Sequence, residues 1–408
     1  MFTKQTITLA LSAALTGGFA APATAELNPD ISLILDGRYQ SYDNESEYEL
    51  PGFMLGGEAG RGGKGFLLGH NELVMSANID DMYYGKMTTV LADHDGETEV
   101  ELEEAFIETI GLGGGAAVKA GRFYSGLGYL NSQHPHSWDF ADAPLVYRGL
   151  FGGALRDDGL QLSWVAPTDT YLKLGLEATR GAQFPAGGSA NDGVGAAAAF
   201  VKLGGDIGPS HAWQLGLSRW QAEVAERESG GGHAHGDEVA HIHYSGDSDV
   251  TGIDFVWKWA PNGNVTQRNM TFQAEYFVRN EKGEVAFAHD IEEGRAALDG
   301  EQRGWYAQAV YQFMPRWRLG LRYDQLEADN KLSNFSLTGL DAEEFAHETG
   351  LATEGHDPSR TTVMLDYSRS EYSRIRLQLA QDDSYEESDT IVTLQYVMSL
   401  GAHGAHQF

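Results

Sequence analysis

Cysteine is absent from the 408 residues, which excludes a disulfide framework, a thiolate metal centre and a thiol nucleophile together. Basic residues are few: 28 Lys and Arg stand against 59 Asp and Glu, so the chain is strongly anionic and nucleic acid is excluded as a partner. No apolar run reaches the roughly 18 residues that a transmembrane helix requires. The stretch Ile7 to Leu15 falls short of that length, follows Lys4 and precedes the small residues Ala23-Thr24-Ala25, which is the layout of a signal peptide over residues 1–25. The exported chain then begins at Glu26, and any membrane crossing must be made by strands.

What is abundant is glycine, with 51 residues, and aromatic residues, at 11% of the chain, a composition of many strands and turns. From Glu26 onward, period-two segments of strand length recur to the end. In Thr251 to Trp259, Ile253, Phe255, Trp257 and Trp259 share one face while Asp254 and Lys258 share the other. The same split places Phe272, Ala274 and Tyr276 against Gln273 and Glu275, and Leu319 and Leu321 against Arg318 and Arg322. One face suits lipid and the other suits water. Segments of this kind are predicted at about 31–40, 67–80, 82–92, 99–110, 115–125, 157–167, 169–180, 194–205, 211–223, 251–259, 270–278, 305–313, 317–323, 359–370, 372–383 and 388–400.

The connections between these segments alternate in length. Short ones carry turn residues, as at Asp80-Asp81, Gly111 to Gly115, Pro167 to Asp169, Asp206 to Pro209, Pro261 to Gly263, Pro315 and Ser370-Glu371. Long ones are expected at about 41–66, 126–156, 181–193, 224–249, 281–301 and 328–358, with shorter loops on the same side at 93–98 and 384–387. A soluble sandwich has no reason to sort its loops by parity, whereas an outer-membrane barrel with tight periplasmic turns and longer extracellular loops does so. The reading is an all-β chain: residues 26–408 form one transmembrane antiparallel β-barrel of about 16 strands. The terminal Phe408 fits the aromatic ending of such barrels, although the alternation through Leu400 fades before it.

The stretch from Lys119-Ala-Gly-Arg-Phe through Asn131-Ser-Gln-His-Pro-His-Ser-Trp-Asp-Phe to Pro144-Leu-Val-Tyr-Arg resembles the third-loop region of bacterial porins, and is most similar to the phosphate-selective porins and related outer-membrane proteins. The resemblance implies that residues 126–156, the third extracellular loop, fold into the lumen and form its constriction. The residues placed there are His134, His136, Asp139, Asp142 and Arg148. Phosphate selectivity does not carry over, because this loop contains no lysine. The resemblance also implies a trimer of identical subunits, the common state of general porins.

By strand parity the lumen wall carries Lys86, Lys173, Asp254, Lys258, Glu275, Arg318, Arg322, Arg374 and Arg376, with Glu72, Glu104, Glu177, Asp324 and Asp366 among its acids. Ion preference follows the field set by such wall and loop charges. The plain alternative for any one of them is a salt-bridge lattice that props the wall. The four arginines fall on nearby strands and are expected to form a basic ladder opposite an acidic one.

A second cluster, His233, His235, His241 and His243 with Asp237 and Glu238, is expected in the fifth extracellular loop. Imidazoles and carboxylates at this spacing suit zinc or another divalent metal; the alternative is a solvated loop that binds metal incidentally. His134 and His136 offer ligation or pH sensing against a structural role for the Pro135 segment. The glycine-rich stretches lack the lysine and helix of a phosphate loop, and no Gly-x-Ser-x-Gly elbow is present, so no catalytic step is expected. The expected function is passive diffusion of small hydrophilic solutes or ions across the outer membrane, with lipid and lipopolysaccharide as partners and no cofactor beyond a divalent metal at the His-rich segment. The alternative is a metal-binding or metal-uptake protein built on that segment.

Overall fold

The computed structural model describes residues 29–44, 48–94, 97–187, 191, 193–229, 241–289, 291–385 and 387–401. Residues 1–25, expected as a signal peptide, the tail with Phe408, and His233, His235, Asp237 and Glu238 lie outside them. The strands are β1 (Asp30–Ser41), β2 (Gly65–Leu68), β3 (Asn71–Asn78), β4 (Tyr83–His94), β5 (Glu97–Thr109), β6 (Ala116–Tyr124), β7 (Arg156–Val165), β8 (Tyr171–Thr179) and β9 (Ala196–Ile207). They continue as β10 (His211–Ser229), β11 (His241–Trp259), β12 (Asn269–His289), β13 (Glu292–Met314), β14 (Trp317–Thr338), β15 (Ser359–Ser370), β16 (Ser373–Asp383) and β17 (Asp389–Gly401).

From β3 onward consecutive strands pair antiparallel, and β17 returns to β1 with Leu33 opposite Leu400 and Tyr39 opposite Leu394, which closes the sheet and leaves no edge. β2 and β3 both pair with β1 and are parted only by Gly69 and His70, so the 17 segments fill 16 positions in the wall. The barrel is the one the alternation predicts.

Inside and outside are sorted against the habit of a soluble protein. Outward side chains such as Leu160, Leu162, Leu176, Leu217, Leu321 and Leu379 are exposed, whereas Asp36, Glu72, Asp254, Glu275, Arg322, Asp366 and Arg376 are buried within. Only a surrounding apolar solvent makes that distribution favourable, and closure satisfies the backbone groups that lipid cannot. Outward aromatics gather toward both ends of this belt. Trp317 packs at a tilt on Tyr367 with ring centroids 4.9 Å apart near the short turns, and Trp305 packs on Tyr323 at 5.4 Å toward the long loops.

The structure corrects several of the expected loops. The expected loop 281–301 is a continuation of β12 and β13, joined by residues 290–291, and β10, β11 and β14 likewise run on into expected loops. The physical reason is an inversion of the pattern. In the belt, Tyr276 and Trp305 point out and Glu275 and Gln302 point in; farther along the same strands, Lys282, Glu284, Arg295 and Asp299 point out while Val285, Phe287, Ala296 and Leu298 are buried within. Above the lipid the outer face meets water and turns polar, and the inner face covers an apolar core. His241 and His243 accordingly stand on β11 rather than in a loop.

Candidate functional site

The third loop, residues 125–155, leaves β6 and re-enters the wall at β7. Its neck is tied by Asn131, whose Nδ2 donates to the carbonyls of Ser125 and Leu155 at 2.8 Å each while its Oδ1 accepts from Leu155 N at 2.7 Å. Two short turns of 3-10 helix, Leu130–Ser132 and Pro135–Ser137, lead to helix α1 (Leu145–Phe151), which ends on Gly152 in the left-handed conformation. Leu145, Val146, Leu150 and Phe151 on α1 are all buried.

They join Leu50, Phe53, Met54 and Leu55 from the first loop, Phe345 and Leu351 from the segment before β15, and inward Trp220, Tyr244, Phe277, Phe287 and Leu298 of the wall in one apolar core. The loop members of this core pack against the inward apolar side chains of the upper wall.

Wall charges hold the third loop there. Glu275 accepts from Tyr129 N, Leu130 N and the Tyr147 hydroxyl, each at 2.9 Å, and from the Tyr306 hydroxyl. Lys202 bonds both the Gly128 carbonyl at 2.6 Å and Asp254 at 2.7 Å. Arg318 pairs with Asp139 at 2.7 Å, Arg374 donates to the His136 carbonyl at 2.6 Å, and Arg376 donates to the Trp138 carbonyl at 2.7 Å. Asp142 is the hub: Arg322, Arg360 and Arg148 approach its carboxylate to 3.0, 2.9 and 3.2 Å, and Gln378 Nε2 donates to it at 2.9 Å. Burial opposes that charge, yet the guanidinium groups of Arg360, Arg322 and Arg148 hold the Asp142 carboxyl far below the ordinary carboxylate range.

All nine wall residues read from parity sit on inward faces. Lys86 reaches His134 Nε2 at 3.1 Å and Lys258 lies 5.9 Å from the Tyr129 ring centre, so seven of the nine meet the third loop directly; Asp254 reaches it through Lys202, and Lys173 sits over Phe200. The four arginines form a brace for the loop, with Asp139, Asp142 and loop carbonyls as its other half. Lys202, Arg360 and Gln378 share this work and were not singled out by sequence, although the same parity places them inward.

Where the brace ends, a cavity of about 320 Å³ remains between the third loop and the β1–β6 wall, bordered by Arg38, Glu58, Glu101, Glu103, Arg148 and Arg156. His134 and His136 stand at its edge within a cluster of wall carboxylates. His134 Nδ1 lies 3.0 Å from Glu103 and 3.3 Å from Glu72, its Nε2 lies 2.7 Å from Glu104, and His136 Nδ1 lies 2.7 Å from Glu72. His70, in the gap between β2 and β3, lies 3.1 Å from Glu72 and 3.0 Å from Glu103.

Glu103 is invisible to strand parity. Thr88 pairs with Glu104 and Thr89 with Leu102, so Glu103 is the extra residue of a β-bulge, and it and Glu104 both become buried within the lumen. His70 shares the parity of Glu72, and the His-x-Glu spacing is the signal that points to it. Of the other proposed metal residues, His241 and His243 stack with ring centroids 6.3 Å apart on the outward side of β11, and His243 is 3.9 Å from Glu226.

No family model matches the chain. A curated protein of Aquifex aeolicus (strain VF5), described as an uncharacterized protein, is 31% identical over 405 residues, covering 93% of this chain and 80% of that one. Among solved structures, OprB of Pseudomonas putida at high pH matches with a TM-score of 0.56 at 11% identity over 91% of this chain and 94% of its own. The outer-membrane channel DcaP of Acinetobacter baumannii matches with a TM-score of 0.53 at 13% identity over 94% and 100%. An anion-selective porin from Comamonas acidovorans matches with 0.51 at 12% identity over 92% and 100%. At these identities the shared property is the fold.

Proposed function

The chain belongs to the family of that Aquifex aeolicus protein, and from its own wall and lumen we propose that it is a porin-type channel of the outer membrane, which passes small hydrophilic solutes or ions by diffusion. The observation that carries this reading is the cavity, bordered by charged side chains, between the third loop and the β1–β6 wall of a barrel whose exterior is apolar. An apolar belt has no use in water, and a lumen whose loop is braced from the wall keeps one aqueous side clear while the other side is filled.

The cavity border mixes Arg38, Arg148 and Arg156 with Glu58, Glu101 and Glu103, and Arg156 pairs with all three glutamates, so both signs of charge meet along it. Such a border offers polar solutes partners of both signs. It does not make the uniformly basic lumen that a dedicated phosphate channel needs, and the likeness to phosphate-selective porins is kept to architecture. Because the core on the β10–β14 side occupies much of the mouth, the conductance is small.

Lipid against the belt, lipopolysaccharide beside the outward Lys282, Arg295 and Arg303, and two further copies of the chain in a trimer are the partners that accompany this reading. The test is current through planar bilayers in KCl, followed by solute uptake into liposomes. Discrete small conductance steps are expected; absence of current from folded protein, with the loop brace intact or loosened, overturns the reading.

A further inference from the structure

We propose that His70, Glu72, Glu103 and His134 form a binding site for a divalent transition metal of the zinc class at the edge of the lumen cavity. Three separate chain segments converge there: the β2–β3 gap with the start of β3, the bulge of β5, and the loop turn before Pro135. One ligand atom from each of His70, Glu72 and Glu103 lies within 4.8 Å of the others. His134 Nδ1 approaches the second oxygen of each glutamate, at 3.0 Å from Glu103 Oε2 and 3.3 Å from Glu72 Oε2. Ligand atoms held at about 2.0–2.1 Å from a tetrahedral zinc are about 3.3 Å from one another, so small side-chain shifts bring these atoms around one ion.

The surroundings are those of a metal site. His134 Nε2 faces Glu104 at 2.7 Å, and Glu104 is in turn held by Lys86 at 2.6 Å, the carboxylate partner that fixes the tautomer of a metal-bound imidazole. Glu103 accepts from the Tyr124 hydroxyl and from Arg156 at 3.1 Å. Independently of the clustering, Glu72 is fully buried, and its Oε2, which faces His134, accepts no hydrogen bond. A buried carboxylate oxygen left this way is costly, and a cation between it and the imidazoles removes the cost. Charge agrees: among the described residues, the three carboxylates Glu72, Glu103 and Glu104 meet Lys86 and Arg156 as their lysine and arginine partners, the rest of their contacts being His70, His134, His136 and the Tyr124 hydroxyl. Imidazole with carboxylate selects zinc, nickel, cobalt or copper over magnesium and calcium. The cavity borders His70 and Glu103, which gives the ion a way in.

The site itself does not require transport; any effect of the ion on current rests on the channel reading. The experiment uses the full barrel folded in detergent with His233, His235, His241 and His243 changed to Ala, titrated with Zn²⁺ by calorimetry and with Co²⁺ by visible absorption. The expected result is one ion per chain, with a cobalt ligand-field band. E72Q/E103Q is expected to weaken binding at least about 100-fold, beyond the 10–100-fold typical of outer-shell losses. No saturable binding, or equal affinity in E72Q/E103Q, overturns the proposal and leaves the histidines as protonated bridges between carboxylates. If E72Q/E103Q does not fold, H134N, which keeps the wall intact, must lower affinity at least about 10-fold, and unchanged affinity overturns the proposal. Metal binding without KCl current sinks the channel reading alone, and KCl current without metal binding sinks this proposal alone.

Discussion

Asp142→Asn removes one charge from the centre of the loop brace and keeps the side-chain shape. In the folded protein this carboxylate faces Arg322, Arg360 and Arg148, whose side chains are 1%, 2% and 6% exposed. Breaking a buried ion pair by removing one partner costs about 3–5 kcal/mol, because the remaining charge stays in a poor solvent. Three guanidinium groups lose their common partner here, so the upper part of that range applies.

Against it stands the burial of Leu145, Val146, Leu150 and Phe151, worth roughly 6–12 kcal/mol at about 1.5–3 kcal/mol per side chain, as an upper estimate. Comparing the two magnitudes, α1 stays docked while the segment between Gln133 and Pro144 comes loose. Single-channel recording reads this as larger and noisier current steps, and thermal unfolding reads it as a lower midpoint. A double-mutant cycle with Arg360→Met isolates the pair, with a coupling of about 1–3 kcal/mol expected. If Asp142→Asn matches the parent in current, noise and unfolding midpoint, the brace is not what holds the loop, and the reasoning fails.

Because the Asp142 carboxyl is depressed in the folded state, its stabilisation is present above the ordinary Asp value of about 3.9 and is lost only as pH falls through the lower folded value. The difference in unfolding midpoint between parent and Asp142→Asn is therefore expected to persist from pH 7 to pH 4; its disappearance by pH 5 contradicts the assignment. Leu321→Arg, on the outward face of the belt, is expected to cost about 2–4 kcal/mol in denaturant unfolding from lipid vesicles. Glu284→Leu, on the outward face above it, loses only an exposed ion pair with Arg295 and is expected to cost under about 1 kcal/mol; the reverse order would misplace the membrane boundary. Since the chain has no cysteine, Ile291→Cys at the β12–β13 tip and Tyr372→Cys in a short turn make single reporters. A membrane-impermeant maleimide applied to whole cells should label the first and spare the second, and labelling only the second would invert the orientation.

The barrel was legible because its cause is local. Each strand through the belt repeats apolar-out and polar-in at period two, and that pattern needs no knowledge of distant residues; it placed Asp254, Glu275, Arg318, Arg322, Arg374 and Arg376 on the inner face. Where the strands leave lipid, the polarity of both faces changes, so the upper halves of β12 and β13 look like loop to a reading that expects a greasy exterior.

By itself, then, the amino-acid order determined strand number, sidedness and the exclusion of cysteine chemistry, because lipid imposes those requirements residue by residue. Tertiary structure decided the rest. The bulge that turns Glu103 inward, the meeting of His70 and Glu72 with His134 some sixty positions later, and the arrival of three arginines around Asp142 depend on sheet closure and loop packing. Those contacts join segments far apart in the chain, where periodicity carries no information and only the folded geometry brings the charges into one another's field.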